Sequence, residues 1–101
     1  MDISSNDEVL ILVGLLDGRS TAAVRDALYA HIAHHHEVIV DVTGVESIDV
    51  TGLNMLAAAS KLMERDGRHL WLRGCRPALR RVIAFTRMRG VLQVEKHPES
   101  A

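Results

Sequence analysis

Three short apolar runs, each followed by a stretch with helical spacing, set the strongest limit on how this chain can fold. Between Glu8 and Leu16 the sequence is almost continuously apolar (Val9, Leu10, Ile11, Leu12, Val13, Gly14, Leu15). Such a run fits a strand buried on both faces. Turn residues Asp17 to Ser20 break it. Ser20 or Thr21 can then cap a helix reaching about His34, with Val24, Ala27, Leu28 and His31 or Ile32 at helical spacing. The β-branched run Val38-Ile39-Val40-Asp41-Val42 is a second strand, and Thr43 to Ile48 reads as a loop. A second helix is predicted from Thr51 to about Arg65, with Leu53, Leu56, Ala57, Ser60 and Met63 along one stripe. Gly67 suits the left-handed position that ends it. His69 to Arg73 reads as a third strand. Pro77 suits the start of a third helix carrying Leu79, Val82, Ile83, Phe85 and Thr86. Gly90 breaks again, Val91 to Val94 form a short last strand, and the tail from Pro98 frays. Strands alternating with helices of about 10–15 residues predict right-handed βαβ crossovers and a mainly parallel sheet.

A chain of 101 residues, 48% of them hydrophobic, is one domain's worth of sequence. A single cysteine, Cys75, excludes an internal disulfide and suits a reducing compartment. No apolar run approaches the roughly 20 residues that span a bilayer. The start Met1-Asp2-Ile3-Ser4-Ser5-Asn6-Asp7-Glu8 is acidic, unlike a signal peptide. A cytoplasmic protein without direct membrane insertion is expected.

Charge is uneven. Residues 1–49 sum to −7 and residues 50–101 to +6, with Arg73, Arg76, Arg80, Arg81, Arg87 and Arg89 clustered late. The net charge of −1 is far from a basic footprint, and Tyr29, Trp71 and Phe85 are too few for a stacking platform. No nucleic-acid partner is expected. Phosphate-loop, dinucleotide and nucleophile-elbow patterns are missing from the sequence, which argues against those enzyme classes. No catalytic residue, cofactor or metal is assigned. His31, His34, His35 and His36 are the one metal-like cluster, His31 and His35 sharing a helix face. No third ligand stands at clear spacing, so they read as a polar helix end favoured by the negative dipole terminus. Cys75 is flanked by arginines that would lower a thiol pKa, yet no histidine stands at a diagnostic spacing, and it reads as a loop cysteine.

One stretch stands out: Ile48-Asp49-Val50-Thr51-Gly52-Leu53 follows a strand and opens a helix. Thr51 or Asp49 can cap that helix. Gly52 lets another backbone approach. A hydroxyl at a helix N-terminus is also where an added phosphate is tolerated electrostatically.

These residues resemble the STAS domains, and within them the stand-alone anti-sigma factor antagonists of bacteria. The likeness covers roughly residues 9–95. It rests on Gly14-Leu15-Leu16-Asp17, on Val38 to Val45, on Asp49, Thr51, Gly52 and Leu53 of the motif, and on Leu70 to Gly74, Pro77 and Val82-Ile83. The resemblance implies an α/β single domain with a mixed, mainly parallel sheet and helices mainly on one face. It adds a short antiparallel N-terminal strand around Ile3. It implies a non-enzymatic partner switch. The antagonist binds an anti-sigma factor of the ATPase-fold serine/threonine kinase type and frees a sigma factor. The kinase phosphorylates the second hydroxyl residue of the motif, here Thr51, and a phosphatase reverses this. Asp49, Val50, Thr51, Gly52, Leu53 and Asn54 are the expected partner-binding residues, Asp49 as a contact whose loss leaves stability nearly unchanged. Val50 departs from the family pattern, since a hydroxyl residue is usual there. Two alternatives remain open: a STAS subunit of a membrane lipid-transport complex, and a module sensing a small ligand or nucleotide.

Overall fold

In a computed structural model of the chain, residues 1–85 and 92–94 are described. Thr86, Arg87, Arg89, Gly90, Val91 and the tail from Pro98, all named above, lie outside them. The elements run β1 (Asp2–Asn6), β2 (Val9–Leu16), α1 (Thr21–His34), β3 (Val38–Ile48), α2 (Val50–Arg65), β4 (Leu70–Arg73), α3 (Pro77–Phe85) and β5 (Gln93–Val94). The strands form one mixed sheet in the order β1-β2-β3-β4-β5. Only the β1–β2 pair is antiparallel, with Ile3 opposite Leu12. The β2–β3, β3–β4 and β4–β5 pairs are parallel, as crossovers through helices require.

Burial alternates along the strands. Leu10, Leu12, Val38, Val40, Val42, Leu70 and Leu72 are buried together with Val24, Leu28 and Ile32 of α1, Leu53, Leu56 and Met63 of α2, and Ile83 of α3. One sheet face therefore carries the helices. The apolar run of β2 is not buried on both faces as its composition suggests, since Val13 and Leu15 are close to half exposed. With helices on one side only, the intervening residues of β2 have no second layer to meet.

A second difference is the length of β3. The segment Thr43 to Ile48 reads as a loop from its residue types but continues the strand. Its register against β2 shifts twice, between Ile11 and Val13 and between Gly14 and Leu15, so β3 carries extra residues there. Each shift leaves a residue of β3 unpaired and bends the strand, and the pairing resumes beyond it. The two shifts bring Leu16 and Ile48 level with each other at the strand ends.

The start of α1 also differs from the simple cap. Ser20 occupies the cap position but makes no capping hydrogen bond. Its Oγ instead donates to Leu15 O (2.8 Å), while Thr21 Oγ1 donates to Asp17 O (2.6 Å). These bonds tie the turn to β2. At the far end of α2, Gly67 takes φ +72°. The Arg68 N–H reaches Met63 O and the Gly67 N–H reaches Glu64 O, both at 3.0 Å, so the closure matches the sequence reading.

At Gly52 the strand-to-helix approach is tightest. A Cβ there would lie 2.7 Å from Leu16 Cγ and 3.2 Å from Leu16 O. Gly52→Ala should therefore destabilise the fold by about 1–3 kcal/mol through overpacking, although alanine is the better helix former. Urea unfolding of the two proteins measures this; equal midpoints would contradict the close approach.

Candidate functional site

The site is built where β2 and β3 end and α2 begins. The Asp49 N–H donates to Leu16 O (3.0 Å), fixing the turn to the neighbouring strand. The Asp49 carboxylate accepts from the Gly52 N–H at 2.8 Å, and Asp49 O accepts from the Leu53 N–H at 3.0 Å. Of the two capping candidates, Asp49 is the one used. Val50 opens the helix and Thr51 follows it.

The expected contact residues divide sharply. Asp49, Val50, Thr51 and Asn54 are exposed, whereas Gly52 and Leu53 are buried. Val50 is 62% exposed and Leu53 only 1%. Leu53 is thus a core anchor that holds the helix start, and its side chain cannot meet a partner. Gly52 serves the internal approach to Leu16. Ala57 is buried too, which leaves Ala58 as the small exposed group on the next turn. The other hydroxyls near the motif differ in access. Ser60 is fully buried, and Ser47 lies exposed on β3 opposite Leu15.

The exposed apolar residues are spread out: some lie toward this end of the sheet, whereas Leu62 is on the later turns of α2 and Phe85, 90% exposed, is at the end of α3. Val50, Val13 and Leu15 are those toward the sheet end, and Met1 lies against Gly14. A cleft of about 250 Å³ separates the end of β3 from α3, with Ser47, Ile48, Leu79 and Val82 along it. Arg76, at the same cleft, donates to Thr43 O at 3.0 Å. Sequence reasoning missed Leu15 and Val82, which read as core. Strict alternation along β2 was the signal available for Leu15.

The chemistry-bearing residues elsewhere do not join this site. His31 is buried, and its ring stacks on His35 with centroids 4.1 Å apart and planes 24° apart. Stacked rings hold their nitrogens in near-parallel planes, which does not converge on one ion. Among the described residues no group of three metal-ligating side chains could hold a metal. The polar helix end expected from the sequence is therefore half internal. Its carbonyls are met by Arg68, which donates to Ile32 O and His35 O at 3.0 Å each. Cys75 is buried, and that burial pushes its thiol up to about 11, against the smaller opposite pull of Arg80. The arginines flanking it in sequence do not make it a thiolate. No helix among the described residues is long and apolar enough to cross a membrane.

Residues 1–94 match the family described as Mlab, STAS domain. The chain belongs to the STAS domain family. Its fold recurs in solved structures. An anti-sigma factor antagonist from Mycobacterium paratuberculosis is 22% identical with a TM-score of 0.77, over 97% of this chain and 86% of that one. The phosphorylated form of the Bacillus cell-fate determinant SpoIIAA is 17% identical with a TM-score of 0.67, over 98% and 94%. The murine anion transporter Slc26a9 shares the fold at 19% identity and a TM-score of 0.70, over 88% of this chain and 16% of that one. No curated protein matches the sequence. The same fold thus occurs in anti-sigma factor antagonists and in an anion transporter, and the exposed residues of this chain must carry any finer reading.

Two outcomes follow from this geometry. Asp49→Ala should cost about 1 kcal/mol as a lost cap, lowering the thermal midpoint by about 4–8 °C, so Asp49 is no silent surface contact; calorimetry checks it. Cys75 should react with iodoacetamide at pH 8 far more slowly than in urea-unfolded protein, because thiolate is scarce at a raised pKa. Equal rates would place the thiol in solvent.

Proposed function

We propose that this STAS domain is an anti-sigma factor antagonist whose docking surface is the exposed face of Asp49, Val50, Thr51 and Asn54, and that phosphorylation of Thr51 releases the partner. The partner is an anti-sigma factor of the ATPase-fold serine/threonine kinase class, and binding it frees a sigma factor. The observation that carries the reading is an exposed hydroxyl, Thr51, in the first turn of α2, beside exposed Val50. Neighbouring Ser60 has no access to a kinase.

In the transfer step the Thr51 Oγ1 bonds to the γ-phosphorus of ATP. The bond to ADP breaks, and the hydroxyl proton passes to the kinase's base. The product carries about −1.5 to −2 charge. Within the domain that charge sits at a helix N-terminus, where backbone N–H groups and the dipole favour it, so the fold survives. Against a packed partner the same dianion is desolvated and costs affinity. A phosphatase resets the switch.

Val50 supports a second reading. An apolar residue in the place of the usual hydroxyl suits a permanent protein contact, as in a STAS subunit of a membrane lipid-transport complex that docks without phosphorylation.

Incubation with co-encoded candidate kinases and ATP should add one phosphate by intact mass, and none to Thr51→Ala. Thr51→Ala should still bind, since losing this hydroxyl removes no hydrogen bond seen in the structure. Thr51→Glu should bind more weakly, as a one-charge mimic. Val50→Lys should weaken binding at least tenfold with little change in thermal midpoint. No phosphate with any kinase, and equal binding by the Ala and Glu variants, would leave the second reading.

A further inference from the structure

We propose that the trough at the opposite end of the sheet from Thr51 is a second docking surface, shaped for an apolar protein segment that carries basic residues at one end. The hollow measures about 870 Å³ and is lined by Ile39, Trp71 and Val94 together with the carboxylates of Glu8 and Glu37 and the rings of His35 and His36. Ile39 and Trp71 are register partners on β3 and β4. They alternate with the buried residues of those strands, so they share the face that carries no helix. The carboxylates come from the residues just before β2 and β3, both exposed.

The wall is fixed from within. Glu8 O accepts from the Ile39 N–H at 3.0 Å, which starts the parallel ladder. His35, on the helix side, has its Nδ1 3.0 Å from His31 O, and Arg68 holds its carbonyl. Trp71 is steadied by the ring of His69, 5.8 Å away and tilted by 50°. A preformed apolar hollow with charged groups in its lining binds at low ordering cost.

Charge selects the occupant. Two carboxylates in the lining repel nucleic acid and anionic lipid. A second copy seated about a two-fold axis would bring Glu8 and Glu37 of both copies together. Lysine or arginine on a partner segment meets both carboxylates and can also lie over the Trp71 ring. Beyond Trp71 and Val94 the adjoining hollow carries Arg80 and Arg81, which turns the basic end of the segment toward Glu8 and Glu37. The surface is independent of Thr51, so its failure would leave the switch untouched.

Trp71 is the only tryptophan in the chain, so its emission reports the trough directly. The probes are two acetylated pentapeptides, lysine-lysine-leucine-valine-leucine and glutamate-glutamate-leucine-valine-leucine. The basic peptide should change Trp71 emission saturably, and the acidic one should bind at least tenfold more weakly. The double variant Glu8→Lys with Glu37→Lys should reverse that order, and Thr51→Glu should leave it unchanged. If the double variant fails to fold by circular dichroism, the affinity of the native protein for the basic peptide should fall with added salt. No saturable change with the basic peptide, equal affinity for both, or an order unmoved by charge reversal and salt would overturn the proposal. So would emission that changes with protein concentration alone together with a dimer in sedimentation, which would give the face to a second copy.

Discussion

The close approach of α2 to the end of β2 is the constraint on which the rest of the site depends. Asp49 is tied to Leu16 through the backbone, and its carboxylate then sets the first turn of the helix. Gly52 is the residue that lets this happen, since a methyl group there would strike Leu16. Once these bonds form, Leu53 falls into the core while Val50, Thr51 and Asn54 are left outside. One junction therefore produces both the burial that anchors the helix and the exposure that makes a docking surface possible. The motif is at once a folding element and a surface, and its residues cannot be assigned to a partner as a block.

The sheet separates the two ends of the molecule. Near the strand ends after Leu16 and Ile48 lie the exposed side chains of Leu15 and Val50 and the Thr51 hydroxyl. The strand starts near Glu8 and Glu37 carry carboxylates around Trp71. Among the described residues the helices pack on one face and no element covers the other. A small STAS domain built this way has room for two independent contacts, because neither end borrows residues from the other. Its fold is stabilised mainly by the buried layer between sheet and helices, which changes at either end need not disturb.

Much of the fold was legible in the residues. Helical spacing from Thr21 to His34 and from Thr51 to Arg65 reflects a stripe that must face a core, and Gly67 marks a left-handed turn that few other residues accept. The β-branched run from Val38 to Val42 is likewise a strand by composition. The extension of β3 through Thr43, Gly44 and Glu46 was not legible. Thr43 and Glu46 pair with no residue of β2, and the strand continues only because Gly44, Val45, Ser47 and Ile48 resume the pairing beyond the two shifts. The cap of α1 differs because the Ser20 Oγ is turned back to the turn, accepting from the Asp17 N–H and donating to Leu15 O, and so does not meet the first N–H groups of the helix.

What the sequence determined by itself is the alternation of elements and the family pattern around Asp49, Thr51, Gly52 and Leu53. Those follow from local periodicity and residue type. The tertiary structure decided which side of each element is wet. It exposed Leu15 in an apolar run, buried Leu53 within the motif that starts α2, and turned Cys75 inward, where burial raises its thiol pKa. It also brought Trp71 beside Glu8 and Glu37, far apart in the chain. Burial and proximity depend on which surfaces the other elements cover, and that is a property of the packed sheet rather than of any segment within it.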